Sequence, residues 1–483
     1  MNKPLRRLSV IVLLMFVALF ASSTWISFVK APELNADSRN TRTLYREFGT
    51  NRGALIVDGN EITTSVPIKS AFKYQREYSD GSLFAPVTGF YSIVYGRTGM
   101  EKAANEYLNG TSDSLWLNRL EHLITGADPQ GSSVELTLNK KAQEAAYKAL
   151  GDQRGAAVAI DPKTGAILAL VSTPSFDPNL LAGHKSSEVI SAYKELSGDP
   201  SKPLVNRAIA GDTYPPGSVF KLITAAAALE DGMSADDIID APRQYELPGT
   251  STKLNNFGGS ACSATGKQSL ADALRVSCNT AFAILGNELG EAKIAEQAEA
   301  FGFGEALQIP LGVTASRFPT GQNDAAVALS AIGQQDVRVT PLQVAMISAA
   351  IANDGQLMEP YLIEKVRTPD LAVVSETKPD TLSNPISKST ADQLTEMMIG
   401  VVERGTGVAA QISGVEVAGK SGTAETGNNK SQHAWFTAFA PANDPEIAVA
   451  VIVENGGNAG SEATGGSVAA PIARAIIQAV LSK

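Results

Sequence analysis

Tyr214-Pro-Pro-Gly-Ser218-Val-Phe-Lys221, running into the apolar stretch Leu222 to Leu229, decides how the rest of this chain is read. Pro215, Pro216 and Gly217 break any preceding helix, Ser218 begins a new one, and Gly232 is placed to end it after about three to four turns. Residues at i and i+3 share a helix face, which brings the Lys221 amine within reach of the Ser218 hydroxyl. A serine oxygen and a lysine amine at the head of an apolar helix read as nucleophile and base of an acylation site.

Ser-x-x-Lys by itself is weak, because it also occurs at Ser27/Lys30, Ser70/Lys73, Ser191/Lys194 and Ser375/Lys378. Ser218 is set apart by the breaker before it, the alanine-rich helix after it, and two downstream elements, Ser277-Cys278-Asn279 and Lys420-Ser421-Gly422-Thr423. The decoys of those two, Ser38-Arg39-Asn40 and Lys163-Thr164-Gly165, both lie upstream of Ser218. One ordered trio remains.

With that trio in place the chain resembles the penicillin-recognising serine acyltransferases, and among them the class B penicillin-binding proteins. The resemblance extends through Gly155 to Val171, Asn206-Arg207-Ala208, Val339 to Gln343 and His433 to Pro441, in the family's order. Upstream, Asn51-Arg52-Gly53 and Ala85 to Tyr91 look like the short actinobacterial type usually called penicillin-binding protein A.

At 483 residues the chain exceeds one ordinary domain, so two folded units and a terminal segment are expected. A formal net charge of −10 and the lack of a basic patch interleaved with aromatics argue against nucleic acid as a partner. Leu8 to Val29 hold no charged side chain, and such a helix reaches roughly 33 Å, enough to cross a hydrocarbon core of about 30 Å. Lys3, Arg6 and Arg7 precede it while Glu33 and Asp37 follow, so the amino terminus stays in the cytoplasm and the remainder is exported. The alternative, a cleaved signal peptide ending near Ala21, has a poor cleavage site with Leu19 three positions before the cut. The expected organisation is a cytoplasmic stub over 1–7, a transmembrane anchor over 8–29, a folded pedestal over 30–154 and a catalytic domain over 155–483.

Strand patterns at Ala156–Ile160 and Ala166–Val171, an alanine-rich helical middle from about Ala271 to Asn353, three strands over Val415–Glu425, Ala434–Phe439 and Ile447–Glu454, and a closing helix Ala469–Leu481 give an α+β fold. The pattern predicts an antiparallel sheet flanked by helices, an all-helical lobe inserted between its halves, and a cleft between lobe and sheet. Gly456 to Gly466 reads as a glycine-rich loop. Cys262 and Cys278 both fall in the exported, oxidising part; they are either bridged, closing a loop worth about 3 kcal/mol by chain entropy, or two free thiols with Cys278 buried near Ser218.

Acyl transfer needs a nucleophile, a base, a proton route and an oxyanion site. Ser218 is the expected nucleophile, with its own N–H as one oxyanion donor. Lys221 is the expected base if its pKa is depressed by desolvation and by the charge of Lys420. Ser277 and Asn279, two apart, point to one side if that segment is extended, Ser277 passing a proton to the leaving amine and Asn279 donating to a substrate carbonyl while steadying Lys221. Strand alternation in Lys420-Ser421-Gly422-Thr423 puts Lys420 and Gly422 on one side and Ser421 and Thr423 on the other, with Gly422 letting a peptide lie along the strand. The resemblance further implies that the Thr423 N–H is the second oxyanion donor and that the Ser421 and Thr423 hydroxyls hold the terminal carboxylate of a D-alanyl-D-alanine stem or a β-lactam. It implies a D,D-transpeptidase cross-linking peptidoglycan stem peptides at the division septum, beside a glycosyltransferase and other septal proteins; hydrolysis with water as acceptor, as a D,D-carboxypeptidase or β-lactamase, and a non-catalytic penicillin-binding sensor or scaffold are the rival readings. No cofactor or metal is required by this scheme, and His122, His184 and His433 are too scattered to form a ligand cluster. His433, opening a strand, reads as structural.

Overall fold

The computed structural model describes residues 3–30, 34, 41–112, 130–211, 213–426 and 431–482. His122 lies outside them. Helix α1 (Lys3–Thr24) continues through a π-turn to Val29 and buries none of its side chains. Leu8, Met15, Phe16 and Phe20 are each more than half exposed, so the protein supplies no apolar cover for this segment.

Helix α2 (Thr41–Phe48) docks on the pedestal through aromatic faces. Tyr45 stacks on Phe72 at 5.1 Å, Phe48 stacks on Tyr91 at 4.2 Å, and the Arg52 guanidinium lies 4.5 Å over the Tyr91 ring. His184 is wedged between Phe72 and Phe48. The pedestal sheet is built on β1 (Leu55–Val57), β2 (Asn60–Glu61) and β3 (Ser133–Leu136), with β1 and β3 parallel. Beneath it Glu101, fully buried, takes Arg52 at 2.6 Å and Arg76 at 2.7 Å, one guanidinium to each oxygen. Burial raises the Glu101 pKa, but the two arginines outweigh it and the carboxyl ends below its ordinary value. Removing one member of a buried ion group leaves uncompensated charge. Glu101→Ala is therefore expected to lower the unfolding free energy by about 3–5 kcal/mol, measured by urea titration of the detergent-solubilised chain.

The division expected at Arg154 is crossed twice. Residues Ile363–Arg367 and Val373–Glu376, from the catalytic half, extend the pedestal sheet beyond β3, so that five strands hold the two halves together. In the other direction α3 (Lys140–Leu150) packs Ala142, Ala146 and Leu150 into the core of the catalytic domain. Asn139 caps α3, its side chain accepting from Ala142 N.

The catalytic sheet contains β4 (Gly155–Ile160), β5 (Ile167–Thr173), β6 (Ala418–Ala424), β7 (His433–Ala440) and β8 (Ile447–Val453), antiparallel throughout in the order β6-β7-β8-β4-β5. Central β8 is buried at every residue, which is why its sequence is a continuous apolar run rather than an alternation. Between β5 and β6 the chain forms α4 (Lys221–Glu230), α5 (Asn279–Ala300), α6 (Pro341–Ala352) and α7 (Lys388–Arg404). Thr340 caps α6 and Pro341 occupies its first position, the arrangement that Val-Thr-Pro encodes. Helix α8 (Ala470–Leu481) closes the chain against α3. The inserted lobe is helical at its centre but also carries two short ribbons, Ile238–Asp240 with Lys267–Ser269 and Gln244–Glu246 with Lys253–Asn255. Edge strand β6 faces this lobe across a cleft of about 1060 Å³.

Candidate active site

Ser218 lies in a 3-10 turn, Gly217–Phe220, that leads directly into α4. In such a turn positions i and i+3 eclipse, so the serine and the lysine share a face. Three of the four residues before Ser218 are pinned from several directions. Tyr214 exchanges backbone bonds with Val339 at 2.9 and 2.8 Å, and its hydroxyl donates to Glu454 at 2.8 Å. Trp435 Nε1 donates to Pro215 O at 3.0 Å, and Gly217 N donates to Gly333 O at 2.9 Å. Gly217 holds φ +54°, and a Cβ there would stand 2.6 Å from Thr423 O. Gly217→Ala is expected to cost about 10²-fold in the rate of penicillin labelling by shifting Ser218 against β6, checked by stopped-flow measurement with a fluorescent penicillin.

Lys221 and Lys420 are both completely buried. Lys221 Nζ donates to Ser277 O at 2.7 Å and Asn279 Oδ1 at 2.8 Å, with Ser277 Oγ at 3.4 Å. Lys420 Nζ donates to Ser277 Oγ at 2.8 Å and to Ser421 O at 2.6 Å. Desolvation, and then the neighbouring Lys420 charge, push Lys221 well below its ordinary value, while desolvation brings Lys420 to about 7. A neutral amine has two hydrogens and one lone pair. The two short bonds of Lys221 use both hydrogens and leave its lone pair available to accept a proton. The Ser218 hydroxyl lines the cleft, half-buried, and is not among the hydrogen-bond partners of Lys221 in this structure.

These depressed pKa values also tie stability to pH. Between about 7 and 10.5 the unfolded chain holds a proton on Lys420 that the folded chain has shed, so stability rises as pH rises through that window. Lys420→Met removes this contribution. Paired urea titrations are expected to show the wild-type chain gaining more stability over that range than the variant.

Ser277-Cys278-Asn279 is not extended, contrary to the expectation from its spacing. Ser277 has φ +59°, Cys278 is the cap residue, and Asn279 is the first residue of α5. The sharp reversal at Ser277, rather than strand alternation, turns both polar side chains toward the two lysines. Cys278 is joined to Cys262 in a disulfide that ties this turn to the lobe loop.

Ser421 and Thr423 line the cleft from β6, and Ser421 Oγ lies 2.6 Å from Thr406 Oγ1, a third hydroxyl on the same wall. Gly422 serves a different neighbour from the one expected. A Cβ there would meet Val219 at 2.9 Å and Trp435 at 3.0 Å, so its bareness admits the turn that carries Ser218 rather than a peptide in the cleft. Among the described residues β6 is a sheet edge, the position at which an added strand can pair.

Three features had no motif to reveal them. Thr406 sits alone between two glycines, Asn256 holds the amino end of α5, and Glu454 gathers Arg207 at 2.9 Å, Arg154 at 3.0 Å and Tyr214 behind the Gly217–Phe220 turn. Of the residues gathered there, Arg207, within Asn206-Arg207-Ala208, and Tyr214, at the head of the stretch that carries Ser218, lie in stretches singled out in the sequence. His433 accepts from Asn455 N at 3.0 Å through Nδ1, and its ring packs edge-on to Tyr214.

The fold around this cleft is that of a serine acyltransferase of the penicillin-binding class. Residues 155–478 match the penicillin binding protein transpeptidase domain and residues 52–134 the penicillin binding protein A dimerisation domain. The chain belongs to the class B penicillin-binding proteins, serine-type D,D-transpeptidases, and within them to the penicillin-binding protein A type. It is 44% identical to the peptidoglycan D,D-transpeptidase PbpA of Mycolicibacterium smegmatis, over 100% of this chain and 99% of that one. PbpA of Mycobacterium tuberculosis is 43% identical over the same shares. The ceftriaxone acyl-enzyme complex of penicillin-binding protein A from M. tuberculosis superposes with a TM-score of 0.88 at 42% identity, covering 90% of this chain and 100% of that one.

Proposed function

We propose that Ser218 is the acylated residue and that Lys221, Lys420, Ser277 and Asn279 manage its proton. The observation that carries this reading is the bridging of two buried amines by Ser277 Oγ, 3.4 Å from Lys221 Nζ and 2.8 Å from Lys420 Nζ. As Ser218 Oγ bonds to the penultimate D-alanine carbonyl carbon, its proton passes to the neutral Lys221 amine. The C–N bond then breaks, and the departing D-alanine takes a proton delivered through Ser277. An amine of a second stem peptide next attacks the ester and loses its proton to the same amine pair; the ester C–O bond breaks and the pair returns that proton to the Ser218 oxygen. The N–H groups of Ser218 and Thr423 stabilise the oxyanion in both steps, each donor worth about 3 kcal/mol. The hydroxyls of Ser421, Thr423 and Thr406 receive the terminal carboxylate of the stem, or that of a β-lactam, laid along the edge of β6.

The chain is organised as a cytoplasmic stub, an anchor at 8–29, a pedestal and an exported catalytic head. In support, α1 is an uncovered apolar helix preceded by Lys3, Arg6 and Arg7. Work at the septum, with a glycosyltransferase that supplies the glycan strands and other septal proteins, extends this reading; the relatives' names support peptidoglycan transpeptidation alone. The test is incubation of the full chain with purified lipid-linked precursor strands and a glycosyltransferase. Penicillin-sensitive cross-linked muropeptides are expected; D-alanine release without cross-links would overturn the transpeptidase reading in favour of a carboxypeptidase.

A further inference from the structure

Asn256 follows the second lobe ribbon, far in sequence from every residue of the trio, and is 7% exposed. Its Oδ1 accepts from the backbone N–H of Asn279 and of Thr280, both at 3.0 Å. Its Nδ2 faces Pro242 O and Arg243 O at 3.4 Å, which settles the direction of the amide. The first N–H groups of any helix lack intrahelical partners, and a cap side chain normally takes one of them. Here the cap residue is Cys278, whose sulfur is in the disulfide and makes no cap bond. The cap comes instead from a distant residue.

That substitution matters because of what the first turn of α5 holds. Asn279 Oδ1 receives Lys221 Nζ at 2.8 Å, and Ser277, two residues earlier, keeps a left-handed backbone while its carbonyl receives the same amine at 2.7 Å. A non-glycine residue in that conformation persists only where its surroundings over-determine it. Cys278 N bonds Ala273 O on one side of the turn, Asn256 grips Asn279 and Thr280 on the other, and Thr280 Oγ1 donates to Pro242 O at 2.7 Å. We propose that Asn256 is a positioning residue for acyl transfer: by anchoring the head of α5 it fixes Ser277 and Asn279, and through them the orientation of the Lys221 amine. The inference rests on the reading of Ser218 as nucleophile and Lys221 as base.

Lys420, on β6, is the charged group facing Lys221; the other side chains in contact with its amine, Ser277, Asn279 and Phe282, carry no charge. Arg243 and Lys253, next to Asn256 on the lobe, are unaltered in the variants below. The test compares the full detergent-solubilised wild-type chain with Asn256→Ala and Asn256→Asp, measuring the second-order rate of labelling by a fluorescent penicillin across pH together with thermal unfolding. Asn256→Ala is expected to slow acylation at least ~10-fold at every pH, since misplacement on the ångström scale can cost about 10²-fold. Asn256→Asp keeps the acceptor but sets a carboxylate near Lys221, which favours the ammonium. It is expected to recover most of the rate at high pH, with its acid limb moved to higher pH. A folded Asn256→Ala that labels at the wild-type rate would overturn the proposal. So would an Asp variant as slow as the Ala variant at high pH with an unmoved limb, because that marks a purely structural role. If Asn256→Ala does not fold, the Asp variant carries the test alone. A wild-type chain that does not label at all removes the acylation reading itself, an outcome distinct from either.

Discussion

Ser218→Ala will abolish covalent labelling by penicillins and cross-linking of precursor strands, while the melting temperature stays within a few degrees of wild type. The loss is complete because no neighbouring group can replace the hydroxyl. Ser277 Oγ is already bonded to Lys420 in the wall opposite, and Ser421 and Thr423 project from the edge strand. The fold should tolerate the change, since Ser218 is half-buried and its turn is held by Tyr214, Pro215 and Gly217 through main-chain bonds. Gel fluorescence after incubation with labelled penicillin, read beside a thermal scan, checks both halves. A variant that still labels would disprove the assignment of the nucleophile.

Lys221→Arg will be nearly as damaging, although it keeps a basic side chain of similar length and volume. An arginine stays protonated at any pH the protein survives, so it cannot accept the Ser218 proton. General-base catalysis is worth about 10²–10⁴-fold, and that is the expected fall in acylation rate. In the wild-type chain the rate should fall as pH drops through the depressed pKa of Lys221, because protonation removes the lone pair. The arginine variant should show no such limb. Retention of the limb would move the base role elsewhere, with Lys420, near 7, the first group to examine.

Much of this was legible in the residues. The breaker before Ser218, the apolar runs of β4, β5 and β8, and the ordered trio located the sheet, the nucleophile helix and both lysines. What resisted reading was contact between distant segments. Ile363–Arg367 mixes apolar and charged residues on both faces, and nothing in it announces a partner more than two hundred positions earlier in β3. The left-handed turn at Ser277 is imposed by tertiary contacts, since serine has no intrinsic preference for positive φ. The role of Gly422 was misread for a related reason: a glycine marks a close approach without saying which neighbour approaches. Asn256 and Thr406 are single polar residues whose partners lie on other elements, so only the folded chain identifies them.

The central claim is that the Ser218 hydroxyl becomes ester-linked to the donor. Its most direct test is mass-spectrometric mapping of the β-lactam adduct after rapid quenching in acid and proteolysis. One penicilloyl group per chain is expected, on the Ser218 side chain within the peptide spanning Tyr214 to Lys221. An adduct on Ser277, on Ser421 or on any other residue, with that peptide unmodified, would contradict it.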